Sequence, residues 1–350
     1  MSRHTLSKKE LALSPLFMKP KLMPYYFILC LLLLHVNTFG QIAVPIHGNH
    51  FHGTLHDNVS NQKRQGSGFN PLIQGYHPGA NLFRDDSVGF NFEHIFNGAK
   101  EQHAISMFTP RQDPCLVRHI DKQSYEVHWP AEESKWNMEA RMTYDLSTEG
   151  QVDLYFKCRP LVDTAYTQGY VAMMWASYMN RALDRKIRFW GKEGNQVGWT
   201  EFGISGKQGI EVGTLGHADA APLRFEEGAQ TLNLIPHADK KFILPFYYGL
   251  LDGDHELKTT NDKLLYLVLF DQTKSIRFAM WNFFQNEDGE PDTHSPAWDW
   301  QYVIMNPRAG QSYGYRARVV IKPFRGEAQV WDEYRKWMEA SKSSLPSPPR

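Results

Sequence analysis

The chain has 350 residues with 38 basic and 38 acidic side chains, so its formal net charge is zero and no global field draws it to nucleic acid or an anionic membrane. Hydrophobic residues make up 42% of it, enough for a large core and against extended disorder. Aromatic side chains reach 13%, with ten Trp and sixteen Tyr, which suits both a β core and ligands with flat apolar faces.

Lys8, Lys9, Lys19 and Lys21 precede an apolar run from Tyr25 to Leu34 that is short for a bilayer span, and small residues before Gln41 offer a signal-peptidase site. Residues 1–40 are read as a cleaved export signal, which predicts a periplasmic or secreted protein with no stable membrane insertion. Residues 41–68 read as an irregular polar lead-in. Its His47, His50, His52 and His56 are dense enough to raise a transition metal, but a solvated arm is the preferred reading, and no metal or cofactor is expected. Cleavage leaves Cys115 and Cys158, whose pairing as a disulfide stays open.

Period two governs residues 69–340. Trp136, Met138, Ala140, Met142, Tyr144 and Leu146 alternate with polar neighbours, and Val152, Leu154 and Phe156 repeat the pattern after the turn at Thr148-Glu149-Gly150-Gln151, which predicts an antiparallel hairpin. Strands are also expected at Gly89 to Phe96, Ser124 to Trp129, Gly169 to Ser177, Lys186 to Trp190, Leu264 to Phe270, Ser275 to Phe283 and Tyr313 to Ile321. No strand–helix alternation is present, which argues against a parallel doubly wound sheet. The 3.6-residue spacing of Val330, Trp331, Tyr334, Trp337 and Met338 predicts one amphipathic helix over Glu327 to Ser341, packed on the outside of a sheet. The proline-containing tail 341–350 reads as disordered. The class is all-β: a large antiparallel sandwich with a C-terminal helix.

The export signal, the long antiparallel strands, Gly89-Phe90-Asn91-Phe92-Glu93-His94-Ile95 and the late Pro296-Ala297-Trp298-Asp299-Trp300-Gln301-Tyr302 together resemble the galactose mutarotase-like supersandwich superfamily of aldose epimerases, glycosidase sugar-binding domains and polysaccharide lyases. The resemblance implies a β-supersandwich whose concave sheet carries a carbohydrate site. Binding, epimerisation and β-elimination all remain open to such a fold.

Five residues are candidates for proton and charge chemistry. Tyr178 and Arg181, at a predicted strand end, supply a phenol and a guanidinium that could neutralise a uronate. His94 is placed on the face of its strand shared with Phe90, Phe92 and Phe96, with Glu93 opposite. His217 and His237 each stand in a His-Ala-Asp tripeptide. Asn180, Tyr247, Trp281, Trp298, Asp299 and Trp300 are expected to hold a sugar by its CH face and hydroxyls. The chain has no Gly-rich phosphate loop, H-E-x-x-H or C-x-x-C. The expected function is that of a secreted enzyme performing proton abstraction and β-elimination on uronic-acid-containing oligosaccharides. The alternatives are a glycan-binding protein without catalysis, a sugar epimerase and a glycoside hydrolase.

Overall fold

In the computed structural model, the residues described are 43–48, 50–58, 66–75, 81–100, 105–203, 211–229, 239–253, 263–282 and 295–341. The expected export signal, His237 and the tail from 342 on lie outside them. In chain order come β1 (Val44–His47), β2 (Phe51–His56), β3 (Gly68–Gln74), β4 (Asn91–Phe96), α1 (Thr109–Gln112), β5 (Leu116–Asp121), β6 (Ser124–Trp129), β7 (Met138–Asp145), β8 (Gln151–Pro160), β9 (Tyr170–Ala176), β10 (Ile187–Glu193) and β11 (Gln196–Phe202). They are followed by β12 (Glu211–Gly216), β13 (Lys240–Phe242), β14 (Phe246–Asp252), β15 (Lys263–Phe270), β16 (Ile276–Asn282), β17 (Ala297–Met305), β18 (Tyr313–Pro323) and α2 (Glu327–Ser341). No described helix is long and apolar enough to cross a membrane.

Two antiparallel sheets form the sandwich. One has ten strands, ordered β11-β10-β14-β15-β18-β8-β7-β6-β5 with β13 added beside β10, and the other has five, ordered β12-β16-β17-β9-β4. The main core lies between them. On β7 the even residues Met138, Ala140, Met142 and Tyr144 are buried and their odd neighbours half-exposed, because only one face of that strand meets the partner sheet. Strands β9, β14 and β15 are buried almost throughout, since both of their faces are covered. For β14 and β15 the second cover is α2: Val330, Tyr334 and Trp337 pack on Phe246, Leu265, Leu267 and Leu269, and the Trp337 Nε1–H donates to the Phe270 carbonyl at 3.0 Å.

Where it is described, the segment expected as an irregular lead-in contains strands. β1 and β2 pair there, and β2 pairs with β3 as a third, small sheet. Ile46, Phe51 and Leu55, spaced among the polar residues, supply the buried anchors of these strands. His47 and His52 face each other across the ladder, and His56 Nε2 lies 2.5 Å from the Asn70 carbonyl oxygen. Among the described residues no group of three or more His, Cys, Asp or Glu side chains is gathered for a metal. Cys115 and Cys158 are both buried and both free thiols.

Candidate functional site

The five-stranded sheet has two chemically opposite faces. Directly paired residues Phe278, Trp300, Trp175 and Phe92 make an aromatic row across β16, β17, β9 and β4 on the inner face, turned to the core. Trp175 stacks on Trp300 at 6.1 Å and on Phe92 at 5.0 Å, and the Trp300 Nε1–H donates to the Tyr315 hydroxyl at 2.6 Å across the sandwich. Because side chains alternate along a strand, the neighbouring row stands on the outer face. It runs Gly216, Arg277, Gln301, Met174, His94 over the same strands and β12.

A second outer row pairs Thr214, Ala279 and Asp299, and at the strand ends Tyr178 and Trp281 flank Ala297. Ala172, Ala176, Ala279 and Ala297 pave this face with methyl groups, so the longer polar side chains stand above a flat floor. Met107, Phe108, Leu223 and Phe225 pack against it from above. Asp299, 1% exposed, accepts the Ser177 N–H on Oδ1 at 2.9 Å, and Gln301 Nε2 lies 4.0 Å from the Met174 sulfur.

β4 reaches this face through a bulge. Its register slips between Phe92, opposite Trp175, and His94, opposite Met174. The extra residue, Glu93, is buried and accepts from Arg111 Nη1 at 2.5 Å, and the same guanidinium lies over the Phe108 ring. The His94 ring meets the Phe108 ring edge at 4.5 Å and approaches Glu93 at 4.0 Å. The bulge thus splits the expected row: His94 leaves the face of Phe90 and Phe92, which join the core, keeps Phe96 beside it at 5.3 Å and lies on the same side as Glu93.

Trp298, Trp300 and Tyr247, expected to hold a sugar, are instead 0% exposed within the inter-sheet core, with the Tyr247 hydroxyl donating to the Trp298 carbonyl at 3.2 Å. Their rings have no open face to offer. Asp299, Trp281, Tyr178 and His94 do share the outer face.

Asn180 and Arg181 lie in the segment that leaves β9, where Asn180 Nδ2 donates to the Asn81 carbonyl and the Arg181 carbonyl accepts from Asp252 N–H. Arg181 is held at φ 56°, a costly value for a residue with a Cβ, and its buried Nη1 finds no hydrogen-bond partner among the described residues.

His217 lies beyond the end of β12, its ring edge-on to Phe242 at 5.4 Å and its Nδ1 accepting the Asp219 N–H at 3.0 Å. That is a turn contact: its chain neighbour Gly216 opens the outer-face row, but the His217 ring turns to Phe242 on the core side. Burial holds its imidazole below the ordinary histidine range.

Gln301 and Arg277 belong to the face but are absent from the sequence-based candidates. The signal for them was the alternation itself: in Trp298-Asp299-Trp300-Gln301 the tryptophans fix the core phase, which sends Asp299 and Gln301 outward. Gly310-Gln311-Ser312-Tyr313-Gly314 also spells the nucleophile-elbow pattern by letter. Here it is an exposed turn entering β18, with no helix after the serine, so the serine lacks the strand–helix support that such a nucleophile needs.

No family model and no curated protein matches the chain. Among solved structures it is similar to a putative aldose 1-epimerase from Escherichia coli K12, at 5% identity and a TM-score of 0.42 over 81% of this chain and 100% of that one. It is also similar to galactose 1-epimerase from Lactobacillus acidophilus NCFM, at 7% identity and 0.37 over 81% and 99%. The α-galactosidase from Lactobacillus brevis aligns at 8% identity and 0.45 over 86% of this chain but only 42% of its own length. The likeness is one of strand arrangement and gives no residue a role.

Proposed function

We propose that the protein is an exported carbohydrate-active enzyme whose site is the outer face of the five-stranded sheet, and that it eliminates across a uronic-acid unit of an oligosaccharide. The observation that carries this reading is the gathering of His94, Asp299, Gln301 and Tyr178, all buried, above an alanine floor on one sheet face. Buried titratable and hydrogen-bonding groups are costly unless they serve a ligand or a network, and they concentrate where protons are moved. Trp281, half-buried at the rim of the same face, supplies a ring surface for a sugar's CH groups.

In the elimination, a base takes the proton from C5, the C4–O bond breaks, a C4–C5 double bond forms, and the departing oxygen takes a proton. Tyr178 or His94 handles the proton. Positive charge against the uronate carboxylate is needed because the C5 proton is weakly acidic until that charge is offset, and Arg181, three residues after Tyr178, whose Nη1 has no hydrogen-bond partner among the described residues, suits that task. Trp281 at the half-buried rim holds the ring, and Asp299 and Gln301, 1% and 0% exposed, meet it only where Met107, Phe108, Leu223 and Phe225 give way.

The test is incubation with a panel of acidic oligosaccharides, followed by the ultraviolet absorbance of the unsaturated uronate. Turnover that falls by about a hundredfold or more in Tyr178→Phe or His94→Gln is expected for a lost proton carrier. Release of reducing ends without new absorbance would instead indicate hydrolysis, and binding that survives both substitutions without product would indicate a glycan-binding protein.

A further inference from the structure

On the same outer face, Arg277 is a buried cation. It is 7% exposed, yet among the described residues no carboxylate lies within ion-pair distance of it. Its Nη2 donates to the Ala221 carbonyl at 2.8 Å, which satisfies one N–H but neutralises nothing, and its buried Nε has no hydrogen-bond partner. Such a charge is expensive in a protein interior unless an anion completes it.

The surroundings are shaped for the guanidinium and what it would hold. Opposite Arg277 on β12 stands Gly216, where a Cβ would lie 3.0 Å from Nη1, so any larger residue would crowd the charged group. Burial lowers the basicity of Arg277, and it keeps the neighbouring Tyr170 a neutral phenol able to donate a hydrogen bond. The Tyr170 hydroxyl is itself buried without a partner among the described residues, and Gly98 makes room for it, since a Cβ there would collide with it. Tyr170 and Ala221 both line a cavity of about 490 Å³ with Gln168, Arg224 and Asn306. Lys241, its ammonium pushed down by burial with Arg277 and Lys192 nearby, adds positive potential that Asp239 only partly offsets.

We propose that Arg277 and Tyr170 form an oxyanion subsite for a carboxylate or sulfate carried by a sugar unit other than the one that reacts. Tyr170 and Tyr178 are eight residues apart along β9 and its extension, roughly 26 Å by strand rise, further than one sugar ring reaches. The substrate is then an oligosaccharide with anionic groups on more than one unit. This inference rests on the outer face being the carbohydrate site.

The experiment measures binding to the full protein by calorimetry and thermal shift, with glucuronate, glucose 6-sulfate and neutral glucose as probes. One or both anions are expected to bind and raise the Tm where glucose does not, and the responding anion tells a uronate from a sulfated unit. Arg277→Met should abolish the anion response while keeping or raising the Tm in anion-free buffer. Arg277→Lys, which keeps charge but loses the fork, and Tyr170→Phe should each weaken the Kd by about tenfold. Should Arg277→Met fail to fold, these two variants decide. Anion responses equal to that of glucose, or unchanged by all three substitutions, would overturn the subsite. Arg277-dependent anion binding in a protein that makes no unsaturated product leaves the subsite in place and removes the lyase reading instead.

Discussion

Asp113 and His217 are buried titratable residues whose protonation pulls stability in opposite directions. Asp113 accepts the Lys135 N–H at 3.1 Å, and burial pushes its carboxyl up to about 6. Its folded pKa lies above the ordinary carboxylate value, so the native state holds the proton more tightly, and stability falls as pH rises from about 4 to about 6. Asp113→Asn keeps an acceptor without the charge and should gain about 1 kcal/mol at pH 7 and nothing at pH 4, read from urea unfolding at the two pH values. The folded pKa of His217 is depressed by burial, so the unfolded chain protonates first and stability falls as pH drops below the ordinary histidine value of 6.5. His217→Gln should flatten the decline of Tm below pH 6.5, and an unchanged slope would mean that the ring is not buried in solution.

Single elements decide which side chains reach the outer face. β4 delivers Glu93 and His94 to one side only because its bulge inserts a residue, and the Glu93–Arg111 ion pair fixes that bulge against α1. Glu93→Ala leaves the guanidinium of a half-buried arginine without its partner and should cost about 3 kcal/mol in chemical denaturation, with His94-dependent turnover falling as well. Bulges are set by local backbone register and leave little trace in composition, which is why strict alternation joins His94 to Phe92 as well as to Phe96 and parts it from Glu93. The C-terminal helix is the contrary case. Its 3.6-residue apolar stripe matched the buried Val330, Tyr334 and Trp337 of α2, because a helix on a sheet must bury one stripe whatever the sheet's topology.

At the scale of the molecule, the sandwich is held by rings whose sequence setting suggests ligand binding. Trp300 is fully buried, stacks on Trp175 and reaches Tyr315 in the opposite sheet. Trp300→Ala should therefore destabilise the fold by about 3–5 kcal/mol, whereas Trp281→Ala at the rim should lower saccharide affinity with little change in Tm. Equal losses of stability in the two variants would contradict the assignment of inner and outer faces.

Sequence alone was enough for the all-β class, for the β7–β8 hairpin and for the terminal helix, because each follows from a hydrophobic period read along neighbouring residues. The phase of Asp299 and Gln301 was present there too, in their alternation with Trp298 and Trp300. Two things were not: that β16, β17, β9 and β4 lie side by side, and that Arg277, Gln301, Met174 and His94 fall in register across them. Strand order and register are long-range pairings, settled by how whole faces bury against one another, and no local pattern encodes which distant strand will be the neighbour.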